Sequence, residues 1–113
     1  MVSGDEVVQV VATARDAASA DALVAALLEG RLIACGQRLG PIQSQYRRRG
    51  ELESAEEWLV VCKTTSARAD AVVAAIVEAH PDDVPEVLVV PVLGGHPGYL
   101  AWVATSLEGD GGG

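Results

Sequence analysis

Phenylalanine is absent from the 113 residues, and Trp and Tyr contribute only two residues each. A core must therefore be built from small aliphatics, chiefly 17 Val and 18 Ala, which bury less area per side chain than aromatics do. A chain of this length buries about two-thirds of its unfolded surface. One domain is expected, with part of its apolar surface covered by self-association. Cysteine is scarce as well: Cys35 and Cys62 belong to no CxxC pair, which argues against a disulfide framework and fits a reducing compartment. Basic residues are half as many as acids, 8 against 16 for a net charge of −8. That balance repels nucleic acid and anionic lipid headgroups. No run approaches the roughly 20 apolar residues that span a bilayer, and the acidic start, Met-Val-Ser-Gly-Asp-Glu, has no signal-peptide core. A cytoplasmic protein with no nucleic-acid or membrane partner is the expectation.

Catalytic signatures are missing too. Neither Cys has an adjacent His, so no nucleophile–base pair is legible. Gly94-Gly95-His96-Pro97-Gly98 lacks both the Walker Lys-Ser/Thr and the GxGxxG spacing of phosphate loops. No catalytic residue is assigned, and a non-enzyme is expected.

What is present alternates regularly. Val7–Ala12 is a β-branched run suited to a buried strand. Asp16 is a good N-cap for a helix to Glu29, with Gly30 as its C′ residue. Gly40-Pro41 interrupts the next extended segment, which predicts a kink or bulge there. Arg49-Gly50 lies between two segments able to pair and predicts a hairpin turn, with Glu56–Thr65 as the return strand. Ser66 is expected to cap a second helix, Ala67–Ala79, which His80-Pro81 ends. Val87–Leu93 reads as a strand whose Pro91 argues for a sheet edge or a bulge. Pro97 suits the first position of a third helix reaching about Leu107. The order β-α-β-β-α-β plus a helix is the split βαβ, ferredoxin-like α+β plan. It places both main helices on one sheet face and leaves the other bare, again favouring self-association. Residues 7–107 form the domain, between flexible ends at 1–6 and 108–113.

Several side chains have two readings. Arg47-Arg48-Arg49 is an anion site at the hairpin tip, or a set of partners for the glutamates that follow, with Arg48 facing Glu51 across the turn. Lys63 snorkels from the sheet or pairs with an acid; alternatively it faces an anionic ligand in a cleft between subunits. His80 complements the negative end of its helix, or ligates a metal. His96 is expected as an exposed loop residue. Both cysteines are expected as buried, inert thiols. If the Arg48–Glu51 register ran unbroken, Cys35 would face Thr64 with Cys62 diagonal to it; a bulge at Gly40-Pro41 would change that.

Five separate motifs resemble the CutA divalent-cation-tolerance family. They are Thr13…Leu32-Ile33-Ala34-Cys35, then Ser44-Gln45-Tyr46…Gly50-Glu51-Leu52-Glu53, then Lys63-Thr64-Thr65, then His80-Pro81…Val84-Pro85-Glu86-Val87, and last Gly98-Tyr99-Leu100-Ala101-Trp102. The resemblance implies a ferredoxin-like subunit in a homotrimer, with long hairpin strands adding to neighbouring sheets as in PII-like regulators. It also implies a link to tolerance of copper or other divalent cations, with no established catalysis. Some relatives bind copper through a Cys and two adjacent His; the matching positions here read Ala12, Ala79 and His80. At the hairpin tip a Trp-Glu-Gly type sequence is replaced by Arg47-Arg48-Arg49-Gly50. The implied functions are thus a metal-tolerance trimer with at most weak copper binding at His80, a module binding a small anionic effector through Lys63, Arg47 and Arg48, or a scaffold.

Overall fold

The computed structural model describes residues 4–108, so residues 1–3 and 109–113 of the ends expected to be flexible, 1–6 and 108–113, lie outside the described residues. Strand β1 (Val7–Ala14) leads into helix α1 (Ala17–Glu29), then β2 (Cys35–Arg48) and β3 (Glu51–Thr65). Helix α2 (Ser66–Ala79), strand β4 (Val87–Pro91) and helix α3 (Pro97–Ser106) complete the chain. The sheet has the order β2-β3-β1-β4 and every pairing is antiparallel. This is the ferredoxin-like plan with a C-terminal helix, and Pro91 closes an edge strand as expected.

Alternation along β1 and β3 builds the core. Val10 pairs with Cys62 and Ala12 with Val60, and all four are fully buried against Leu27 of α1 and Val72 and Ile76 of α2. Alternate strand residues point to opposite faces, so Val11, Leu59, Val61 and Lys63 turn the other way.

Several boundaries depart from expectation for local reasons. Asp16 caps α1 as expected, its Oδ1 accepting the Ser19 N–H at 2.7 Å. That bond lowers the Asp16 carboxyl below the usual range. The left-handed residue after α1 is Arg31 (φ 57°), whereas Gly30 keeps a φ of −78°. Ser66 does not cap α2; it is the first helical residue, and Thr65 precedes it without a side-chain bond. Backbone carbonyls ahead of β1 take that role: the Ser66 N–H donates to Glu6 O at 2.8 Å and the Ala67 N–H to Gly4 O at 3.2 Å. His96 is more than a loop residue. Its Nδ1 accepts the Gly98 and Tyr99 N–H groups at 3.0 and 3.3 Å and so caps α3.

The hairpin arm is longer than expected, because β3 begins at Glu51 rather than Glu56. Arg49 (φ 52°) and Gly50 (φ 81°) both take positive φ, the pattern of a type I′ turn that matches strand twist. Arg48 stands opposite Glu51, as expected, yet its ion pair is the diagonal one, Arg48 Nη1 to Glu53 Oε2 at 3.9 Å. The arm gives the molecule its long axis, 51 × 27 × 22 Å.

Candidate functional site

The bulge decides what the far sheet face displays. Between the Leu39–Leu59 and Ile42–Glu57 pairs the register shifts by one residue. The Gly40-Pro41 bond there is cis, and a Cβ on Gly40 would lie 2.5 Å from Cδ1 of Trp58. A one-residue shift moves a strand's side chains to the opposite face. Cys35 consequently pairs with Lys63, and Gly36 with Cys62. The bulge expected at Gly40-Pro41 is present, and with it the two thiols lie on opposite faces. Cys62 is fully buried in the core, and that burial, more than the nearby Cys35, raises its thiol to about 11 despite Lys63 beside it. Cys35 is only half-buried.

Around Cys35 the far face gathers polar groups. The Lys63 ammonium donates to Gln37 Oε1, and Gln9 sits opposite Lys63 on β1. Lys63, Gln9, Tyr99 and the Gly94-Gly95 loop line a hollow of about 260 Å³. Burial raises the Tyr99 hydroxyl, and the adjacent Cys35 raises it further. Composition and spacing did not reveal this cluster. Its one sequence signal is Gly40-Pro41, which sets the face that Cys35 occupies.

Arg47 and Arg48 do not join Lys63 within one chain. They lie at the arm's tip, opposite Leu52 and Glu51. Lys63 lies twelve steps along β3 from Glu51, a span of roughly 40 Å at the usual strand rise.

His80 lies at the other end of β1, with its side chain 10% exposed. Its Nε2 is 3.0 Å from Thr13 O, and its Nδ1 accepts the Asp82 N–H at 3.1 Å. The carbonyl can only accept and the amide can only donate, so Nε2 carries the proton and the Nδ1 lone pair is engaged. Ala12 is fully buried one residue before Thr13, and Ala79 precedes His80 at the end of α2. The three positions named from the family are therefore neighbours, but two offer only methyl groups. No group of three His, Cys, Asp or Glu side chains able to hold a metal occurs among the described residues.

Beside His80 a cavity of about 270 Å³ opens between α1 and α2, walled by Leu23, Ala26, Ile76 and Ala79 with Arg15 and Ser19 toward the α1 N-terminus. Sequence reading placed no cavity here. Its signal is the run of alanines on facing helix stripes.

Four antiparallel strands, two helices over one face, a third helix and a protruding two-stranded arm define a ferredoxin-like α+β subunit. Residues 8–106 match the model of the CutA1 divalent ion tolerance protein family. The divalent-cation tolerance protein CutA of Pectobacterium atrosepticum is 38% identical over 103 residues, covering 91% of this chain and 94% of that protein. Its Salmonella newport counterpart is 38% identical over 107 residues, covering 95% and 93%. The crystal structure of CutA from Xylella fastidiosa superposes with a TM-score of 0.88 at 31% identity, covering 91% of this chain and 99% of that one. This chain belongs to the CutA1 family. No helix among the described residues is long and apolar enough to cross a membrane.

Proposed function

We propose that the chain acts as a non-enzymatic homotrimer in the cytosol with a role linked to divalent-cation tolerance. The observation that carries the assembly is the far face with its arm. Leu39 (50%), Leu52 (75%), Leu88 (56%) and Leu93 (101%) stand exposed there and on the loop after β4. Apolar surface on that scale marks an interaction surface, and a second and third copy supply matching faces. Light scattering on the purified protein should report three copies at micromolar concentration, and Leu88→Asp combined with Val90→Asp should reduce that mass. A wild-type mass of 11.7 kDa would end the trimer reading.

Copper binding is weak in this proposal, because a metal at His80 must displace the Asp82 N–H from Nδ1 and finds only carboxylates such as Asp82, Asp83 and Glu86 nearby in sequence. A tight site generally needs three or four fixed protein ligands. Calorimetry with Cu(II) on wild type and His80→Ala should give affinities no tighter than about 10 μM. Submicromolar binding that His80→Ala abolishes would instead make His80 the anchor of a real metal site.

A second reading rests on Lys63. With Gln9 and Tyr99 it lines the hollow beside α3, a setting for a small anionic effector in which Arg47 and Arg48 could take part only from a neighbouring subunit. Titration with a nucleotide panel, repeated on Lys63→Met, tests that reading.

A further inference from the structure

The cavity between α1 and α2 has His80 in its wall, but its remaining lining residues take no part in the functions above. Ala22, Leu23 and Ala26 of α1 face Ile76 and Ala79 of α2 across it, and Thr13 and Ala14 of β1 form the end wall. It is an open cleft of about 270 Å³ in which Ala22, Ala26 and Ala79 are themselves exposed, roomier than the roughly 150 Å³ that holds a benzene-sized ring in a closed apolar cavity. The opening is polar and carries one sign of lining charge. Arg15, in the β1–α1 connection, is the only lining residue with a fixed charge. Ser19 stands beside it, and the polar atoms of His80 are committed to Thr13 and Asp82. The Asp16 carboxylate also lies close to Arg15, but it is held by the Ser19 N–H at 2.7 Å. A guanidinium presents five N–H donors in a planar fork, enough to hold a second carboxylate while Asp16 remains in place.

We propose that this cleft is a binding site for a small monocarboxylate with a compact apolar tail. The tail lies among the alanines, Leu23 and Ile76, and the carboxylate meets Arg15 at the rim. An apolar wall with a single well-placed polar group is the usual design of small-molecule sites, and Arg favours carboxylates by paired hydrogen bonds. The proposal stands independently of metal binding and of the trimer.

The test uses the full-length protein, with benzoate and its neutral analogue benzamide followed by amide chemical shifts. Benzoate should bind at least about tenfold more tightly than benzamide, the factor expected from one charge-assisted contact. Arg15→Gln should remove that preference while leaving benzamide binding unchanged. Ala79→Leu should fill the cavity and abolish both; Ala22→Val, a smaller addition, gives the same test if the first variant misfolds. Three results would overturn the proposal: no binding of either probe up to about 10 mM, equal affinity for the two, or binding that survives in the filled variants.

Discussion

The two faces of the sheet carry similar residues and meet different fates. On the helix side Val10, Ala12, Val60 and Cys62 are fully shielded beneath α1 and α2. On the far side Leu39, Leu88 and Val90 keep 50%, 56% and 36% of their surface, with α3 packing near one end only. The difference lies in connectivity. Each βαβ half sends its helix back over the same face, so a four-stranded sheet closes one side from within and relies on other means for the second. The buried face therefore sets stability, and the open face is the one left uncovered within the subunit.

The sharpest way to break this comparison is to open the helix side. Ile76→Ala should cost about 2–5 kcal/mol, the range for truncating a fully buried aliphatic, read as a lower urea midpoint at unchanged slope. A loss under about 1 kcal/mol would mean that this face is not the principal core.

Cys62 probes the same face through pH. Its thiol is raised to about 11 from an ordinary value of 9.0. The unfolded chain releases that proton first, so the contribution is intact below pH 9 and disappears as pH rises toward 11. About 2–3 kcal/mol is at stake across that window. Denaturation between pH 8 and 11 should show the decline, and Cys62→Ala should remove most of it. In native protein a water-soluble thiol reagent should label Cys35 well before Cys62.

The bulge joins the two regions, and Gly40→Ala tests it. The added methyl would meet Trp58 at 2.5 Å, which should cost about 1–3 kcal/mol as overpacking. A neutral result by thermal melting would show that the Trp58 ring moves aside freely. The smallest effect belongs to the arm's tip. Arg48→Ala breaks a 3.9 Å pair whose side chains are 66% and 38% exposed. Stability should change by less than about 1 kcal/mol, and less still in high salt.

Much of this was legible in advance where one local rule decides a position. Asp16 caps because its side chain reaches the Ser19 N–H, Arg49-Gly50 turns because both residues take positive φ, and His80-Pro81 ends α2. The cap of α2 was misread because its donors are met by Glu6 and Gly4, roughly sixty residues away in the chain. The bulge at Gly40-Pro41 was legible, but the resulting partner of Cys35 was left open, because strand sequence does not say how many extra residues a bulge takes up. The candidate sites were legible as residue types and not as groupings: Lys63 was visible, but its association with Gln37, Gln9 and Tyr99 was not.

The sequence by itself determined the element order, the helix-facing stripes, the turn and the family, since each follows from short-range periodicity, dihedral preference or contiguous motifs. Only the tertiary structure decided that Cys35 and Cys62 part to opposite faces. It also decided that both ring nitrogens of His80 are occupied, and that facing alanines leave a cavity with Arg15 at its mouth. These depend on register and on packing between segments distant in the chain. A single shifted strand pair or a few missing methylenes settle them, and no local pattern records either.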